Sequence, residues 1–165
     1  MNQGERRDFR GSGSGGGPRV GGDYRTRPDE QSEMKKWGLD YGQQLSDLSK
    51  VGAEKIVEIS EKTGKHLASS RAGGIDLKIN QIRRFLDEVR QIETTLKNKK
   101  FDPDRIILLR PKLAYAAGRE HKVIPLMNVL DPAIKSAAQS VENFNKLLRL
   151  IEGIVAYHRF NDGTN

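Results

Sequence analysis

The 165-residue sequence contains no cysteine and only three histidines. Without cysteine there is neither a disulfide framework nor a thiolate nucleophile. The histidines, His66, His121 and His158, lie far apart, and none belongs to an HExxH or HxH pattern that would place two ligands on one face. The glycine-rich run at 13–17 is followed by neither a lysine nor a helical pattern, so it is not a phosphate-binding loop. We therefore expect no catalytic residue, no metal site and no cofactor.

Long hydrophobic runs are also missing. Hydrophobic residues make up 35% of the chain and charged residues 31%. No stretch reaches the 18 or so apolar residues of a membrane span, and the first residues lack the apolar run of a secretory signal. These features predict a cytoplasmic protein without a membrane partner, built as one domain with tails.

Positive charge is in excess, with 29 Lys and Arg against 22 Asp and Glu, which gives a net charge of +7. Residues 97–122 hold eight of the cations against three carboxylates, and residues 1–28 hold six arginines against three carboxylates. This excess indicates an anionic partner, although charge alone explains only nonspecific attraction.

Residues 1–31 are rich in glycine and arginine and poor in apolar residues. Such a composition cannot bury a core, so we predict a disordered tail, followed by a helical domain over residues 32–165. Arg-Gly sequence with Phe9 and Tyr24 is typical of tails that contact RNA loosely, and a plain linker explains it equally well. We predict no specific site in this tail.

Helical periodicity dominates the rest of the chain, which predicts an all-α fold, a compact bundle of five or six helices. The clearest apolar stripe predicts a helix over residues 78–97, and a second one predicts a closing helix over 140–160. Three glycines predict a loop over 63–74. Trp37 and Tyr41 either form an exposed contact surface or, as we prefer, pack onto the domain.

Two prolines interrupt the pattern over residues 121–138. Asp131 and Pro132 match the cap and first position of a new helix, so two short helices fit this segment better than one. His158 follows the last apolar stripe, and we expect it to be packed or partly exposed rather than a ligand.

The segment 101–122 combines an apolar face with the densest basic surface. Asp102 and Pro103 predict a helix start there. On a helix, one face would be buried and would hold Ile106, Leu109, Leu113, Ala116 and Ala117. Another face would present Arg105, Leu108, Lys112, Tyr115 and Arg119.

The cations on that face, Arg105, Lys112 and Arg119, would span roughly 21 Å, which suits contacts with a phosphate backbone. Tyr115 lies among them and could stack on a base without reading sequence. A solvated basic face is the alternative. Pro111 predicts a kink that would rotate Lys112 and Arg119 away from Arg105.

Residues 109–119, LRPKLAYAAGR, resemble the signature of the small subunit of type III-A CRISPR effector complexes, the Csm small subunit. Three further segments are similar to the same family and follow its order. They are AEKIV at 53–57, QIRRF at 81–85 and LIEGIVAYH at 150–158. The resemblance extends over about residues 51–157.

This resemblance implies a non-catalytic RNA-binding subunit that assembles in several copies along crRNA and target RNA, in antiviral defence. Its protein partners would be the backbone subunit, the large polymerase-like subunit and neighbouring copies of itself. Matched to this sequence, it names Lys112, Tyr115 and Arg119 as RNA contacts, with Arg83 and Arg84 from the earlier helix. Periodicity adds Arg105.

Each of these assignments has an alternative. Arg83 with Asp87 and Arg84 with Glu88 are i,i+4 pairs of opposite charge, which would occupy both arginines. Tyr115 could be structural. Arg110 lies nearer the apolar side, where it would be a buried or interface ion-pair partner.

Two other classes of protein remain open. An architectural helical adaptor that binds only proteins predicts that charge reversal at Lys112 and Arg119 leaves RNA affinity unchanged. An enzyme would need an acid–base pair, and the sequence shows no pattern for one. No zinc finger, RRM signature or helix-turn-helix pattern occurs either, so RNA contacts should go to the backbone and base faces, with guide pairing supplying specificity.

Overall fold

A computed structural model describes residues 28–98 and 100–162 of the chain. These residues form eight α-helices, six of them with nine residues or more, and no β-strand. The helices are α1 Pro28–Lys36, α2 Leu39–Gln44, α3 Ala53–Leu67, α4 Ile79–Asn98, α5 Pro103–Ile107, α6 Leu109–Arg119, α7 Ile124–Ala137 and α8 Val141–Asp162. Single turns of 3₁₀ helix lie at Leu48–Lys50, Ser70–Ala72 and His121–Val123. The predicted all-α bundle is confirmed, and two short helices, α2 and α5, are added to it.

The predicted tail lies mostly outside the described residues. Residues 1–27 are not described, and α1 begins at Pro28, four residues before the expected domain start. Within the described ranges, no helix has the length and apolarity that crossing a bilayer requires.

Helix α8 is the central element of the bundle, because α3, α4 and α7 all pack against it. Its apolar residues recur every three or four positions, so one face turns wholly into the core. The buried residues of this face include Phe144, Leu147, Leu148, Ile151 and Ile154. Burying each such side chain contributes about 1.5–3 kcal/mol, which makes this stripe the main support of the fold. Helices α4 and α8 were predicted from periodicity to within two residues of their observed ends.

Helix α3 extends through residues 63–67, so the predicted loop over 63–74 is wrong in its first part. Gly64 lies inside this helix without breaking it. Its missing side chain lets α3 approach α8 closely, and the packing between the two helices outweighs the local preference of glycine. A Cβ at Gly64 would lie 2.7 Å from the backbone nitrogen of His158. On the facing helix, a Cβ at Gly153 would lie 2.6 Å from Ser60 Oγ. These glycines therefore serve packing between helices rather than a turn.

Helix α7 is a single helix with Pro132 in its interior, so the prediction of two short helices is wrong. Asp131, which was expected to cap the second of them, lies inside α7. A proline inside a helix costs about 3 kcal/mol, partly because the carbonyl four residues earlier loses its donor. Here that carbonyl belongs to Asn128 and lies against Gly42 of α2, where an added Cβ would overlap it. Four side chains around the proline are fully buried, and together they outweigh its cost. They are Val129, Leu130, Ala133 and Ile134.

Trp37 and Tyr41 pack onto the domain, as we preferred. The Trp37 ring meets the Tyr41 ring edge-on at 5.6 Å and stacks on His66 at 3.9 Å. Burial lowers the pKa of His66 to about 4, because an imidazolium there would lose hydration. His158 is fully buried, with its Nε2 2.7 Å from the carbonyl oxygen of Leu77, which confirms a packed residue.

Candidate nucleic-acid interface

The segment 101–122 begins as a helix where predicted. The Asp102 side chain accepts hydrogen bonds from the backbone N–H groups of Asp104 at 3.1 Å and Arg105 at 3.4 Å. Pro103 occupies the first turn, where its missing donor removes no bond. The cap and the proline together fix the start of α5.

The expected kink is a break between two helices, α5 and α6, at Leu108. Pro111 lies in the first turn of α6, so its missing N–H again removes no bond within the helix. If the helix ran on from α5, the Pro111 ring would collide with the carbonyl of Ile107. The chain therefore restarts its helix at Leu109, two residues before the proline.

The two faces of this segment are those that the periodicity predicts. Ile106, Leu109, Leu113 and Ala117 are buried, and Ala116 packs partly against the core. On the other face Tyr115 is 68% exposed and Leu108 is 58% exposed. The basic face of α6 is therefore directed away from the core.

Helices α4 and α6 enclose an open groove of about 690 Å³, which we call the α4–α6 groove. Its walls include Gln81, Arg84 and Glu88 from α4 and Lys112, Tyr115 and Arg119 from α6. The groove thus brings together four of the six predicted RNA-binding residues, although 27 positions separate Arg84 from the start of the α6 set. A buried aromatic residue, Phe85, forms part of the α4 wall.

Arg105 lies in a smaller groove of about 310 Å³, the Arg105 cleft, which also contains Gln91 and Thr95. Glu88 and Lys112 line both grooves, so the Arg105 cleft adjoins the α4–α6 groove at this pair. Arg83 is exposed on α4 but is not among the residues that line either groove. Five of the six predicted residues therefore follow one surface, and Arg83 lies beside it.

Arg84 and Arg119 keep their charges available for an external anion. Neither guanidinium has a carboxylate within 4.0 Å among the described residues, and both side chains belong to exposed residues. The guanidinium carbon of Arg119 lies 5.8 Å from the centroid of the Tyr115 ring. This cation–π contact orients the arginine beside an exposed ring without neutralising it.

The other two cations already have partners. Lys112 Nζ lies 2.6 Å from Glu88 Oε2, across the groove. Arg105 Nη1 donates to Thr95 Oγ1 at 3.1 Å, and its Nε lies 3.8 Å from Asp102 Oδ2. An anion can reach both side chains, but it must compete with these contacts.

The two i,i+4 pairs considered for α4 do not form. Glu88 binds Lys112 instead of Arg84, and no ion pair within the described residues joins Arg83 to Asp87. Arg84 and Glu88 have the spacing of an i,i+4 pair on α4. Glu88 nevertheless pairs with Lys112 of α6.

Arg110 is an ion-pair partner, as its position nearer the apolar side indicated. Its Nε donates to Asp131 Oδ1 at 2.7 Å and its Nη2 donates to Asp131 Oδ2 at 3.2 Å. The hydrogen bonds with Asp131 raise the pKa of the Arg110 guanidinium. Because Asp131 belongs to α7, this pair fixes α6 against the core and keeps Arg110 out of the groove.

Sequence reasoning missed Glu88 as a residue of this site. Gln81, Arg84 and Glu88 recur at helical spacing on α4, which marks them as one face. The spacing does not reveal which helix that face meets. The contact between Glu88 and Lys112 could therefore not be predicted from the sequence. Within the described residues, no three His, Asp or Glu side chains are grouped closely enough to hold a metal ion.

Comparison with known proteins identifies the family of the chain. A family model described as Csm2 Type III-A matches residues 50–164. Neither the curated proteins nor the solved structures contain a match to the chain. The matched residues contain α3 to α8 and therefore both walls of the α4–α6 groove.

Proposed function

Because the chain belongs to the Csm2 family and is thus a small subunit of a type III-A CRISPR effector complex, we propose that its α4–α6 groove binds RNA through the sugar-phosphate backbone. In this role the protein is non-catalytic and assembles in several copies along the crRNA and target RNA, in antiviral defence. Base pairing between the two RNAs supplies sequence specificity, and the small subunit supplies a charged surface.

The single observation behind this proposal is the convergence of Arg84, Lys112, Tyr115 and Arg119 on one groove. Guanidinium groups bind phosphate oxygens through two parallel N–H donors, which suits Arg84 and Arg119. The exposed ring of Tyr115 offers a flat surface for a base or sugar. Neither kind of contact distinguishes one base from another, so binding should tolerate any sequence.

The remaining predicted residues have secondary roles in this proposal. Arg105 binds a further phosphate at the far end, in the adjoining Arg105 cleft. Lys112 reaches a phosphate when it leaves Glu88. Arg83 lies beside the groove, so it strengthens the attraction of the surface for RNA without lining the bound strand.

Protein neighbours need a different surface. The proposed neighbours are the backbone subunit, the large polymerase-like subunit and further copies of this chain. Several large apolar side chains outside the groove are exposed and suit such contacts. They include Leu39 on α2, Val57 on α3 and Phe160 on α8.

The test measures RNA binding as a function of salt for the double variant Arg84→Ala, Arg119→Ala. A matched control is Lys35→Ala with Lys65→Ala, which removes two exposed cations that line neither groove. If both arginines bind phosphates, the log–log salt slope should flatten by roughly 1.4–1.8 in the groove variant. The loss of affinity should be similar for unrelated RNA sequences.

An unchanged slope in the groove variant, or an equal change in the control, would count against the groove. Unchanged affinity in both variants would favour the architectural adaptor that binds only proteins. Circular dichroism of each variant establishes that the helices are intact before binding is compared.

A further inference from the structure

Glu88 is the carboxylate at the junction of the α4–α6 groove and the Arg105 cleft. Its Oε2 lies 2.6 Å from Lys112 Nζ, and the pair joins α4 to α6 across the groove. The side chain of Glu88 is 37% exposed and that of Lys112 is 59% exposed, so solvent and ligands can reach both. A negative charge in this position is unexpected in a surface that binds a polyanion.

We infer that Glu88 sets the affinity of the groove for RNA by holding Lys112 in a neutral pair that a phosphate must displace. The inference deepens the proposed function and rests on it. A phosphate entering the groove meets both charges of the pair. It gains Lys112 only by breaking the contact with Glu88, and the released carboxylate then repels it.

A second cation, Arg84, can pair with Glu88 after Lys112 has left it. Arg84 precedes Glu88 by four residues on α4, which is the spacing of an i,i+4 ion pair. When Lys112 turns to a phosphate, Glu88 is therefore within reach of Arg84. The three side chains Arg84, Glu88 and Lys112 thus supply one net positive charge to RNA, whichever cation the carboxylate holds.

A weakened groove suits a subunit that works in several copies. When several binding sites are linked, their contributions to affinity combine. A row of subunits that each bind RNA weakly can therefore hold RNA tightly, while each single contact still dissociates and rebinds. A groove with all its cations free would bind RNA strongly before assembly. Glu88 therefore ties strong RNA binding to the assembled row of subunits.

The test compares Glu88→Gln with the unaltered full chain, using a single-stranded RNA probe of arbitrary sequence. Glutamine keeps the shape of the side chain and removes the charge. We expect RNA affinity to rise about two- to fivefold, the factor that corresponds to an exposed ion pair. The log–log salt slope should steepen by about 0.7–0.9, because Lys112 then displaces counterions without a carboxylate to neutralise it.

Two further variants isolate the cause. Glu61→Gln removes the same charge from an exposed position on α3, outside both grooves, and should leave affinity nearly unchanged. In a background that carries both Arg84→Ala and Lys112→Ala, Glu88→Gln should give little gain, because neither cation that the carboxylate can hold is present. A gain in that background as large as in the unaltered chain would show that Glu88 acts by its own charge, and the inference would be wrong.

The two proposals fail separately. If the variant with Arg84→Ala and Arg119→Ala binds RNA with an unchanged salt slope, the groove is not the RNA site. If that variant loses affinity as expected, while Glu88→Gln and Glu61→Gln bind alike, the groove stands and the role of Glu88 is refuted. Glu88→Ala provides a second removal of the charge and should shift affinity in the same direction.

Discussion

Replacing Gly64 by alanine should destabilise the protein, although the same change usually stabilises a helix. Gly64 lies inside α3, where it faces α8 at very close range. An added Cβ would lie 2.7 Å from the His158 nitrogen, 2.7 Å from Tyr157 Cβ and 2.9 Å from the Ile154 carbonyl oxygen. Two of these three atoms are backbone atoms of α8. They cannot rotate away, so the whole helix must shift.

The magnitude is the difference of two opposing effects. Alanine in a helix interior gains roughly 0.5–1 kcal/mol over glycine, because the unfolded chain loses less entropy on folding. Forcing an extra methyl group into a packed interface costs about 1–3 kcal/mol. Since the obstructing atoms belong mainly to the backbone, we place the cost in the upper half of that range. The expected net loss of stability is about 1–2.5 kcal/mol.

Urea unfolding followed by circular dichroism measures this loss. Gly118→Ala is the matched control, because Gly118 also lies in a helix and its Cβ would meet no described atom within 4 Å. That variant should gain up to about 1 kcal/mol, less if the end of α6 frays. If Gly64→Ala proves as stable as Gly118→Ala, the close crossing of α3 and α8 is refuted.

Three further predictions concern other parts of the molecule. Asp131→Ala should lower the free energy of unfolding by about 1–2 kcal/mol in urea, because it removes both hydrogen bonds from Arg110 and leaves that half-buried charge unpaired; equal stability would contradict the tie between α6 and α7. Tyr115→Ala should change stability by less than about 0.5 kcal/mol but weaken binding to single-stranded RNA by about 1–3 kcal/mol, whereas Tyr115→Phe should keep most of the affinity, as a fluorescence titration would show. His66 should make stability depend on pH: its pKa is about 4 in the folded protein and 6.5 ordinarily, so the unfolded chain binds more protons between these values. This stability is fully present above about pH 6.5 and is lost as the pH falls toward 4, and His66→Phe should flatten that dependence in unfolding curves taken across the window.

Local patterns predicted the elements that depend on local physics. The apolar stripes of α4 and α8 repeat every three or four residues, and each stripe became a buried face. Asp102 and Pro103 predicted the start of α5 because a cap needs no distant partner. The same reasoning failed at Gly64 and Pro132. Both residues break helices in isolation, but in the fold they meet α8 and Gly42 respectively, and those tertiary contacts outweigh the local preference.

The candidate site divides in the same way. Periodicity placed Lys112, Tyr115 and Arg119 on one exposed face of α6, which is where the structure has them. The opposite wall comes from α4, and no spacing in the sequence shows that these helices are neighbours. Lys112 pairs with Glu88 because α4 and α6 lie side by side. Glu88, which the i,i+4 spacing had offered as a partner for Arg84, therefore lies inside the groove.

Photo-crosslinking in the assembled complex tests the RNA-binding groove most directly. A photoreactive phenylalanine analogue would replace Tyr115 in the groove and, as a control, Phe160, an exposed aromatic residue on α8 outside it. We predict that the analogue at position 115 crosslinks to the crRNA or target RNA and that the one at position 160 crosslinks only to protein. RNA crosslinks absent from position 115, or equally strong from position 160, would contradict the account.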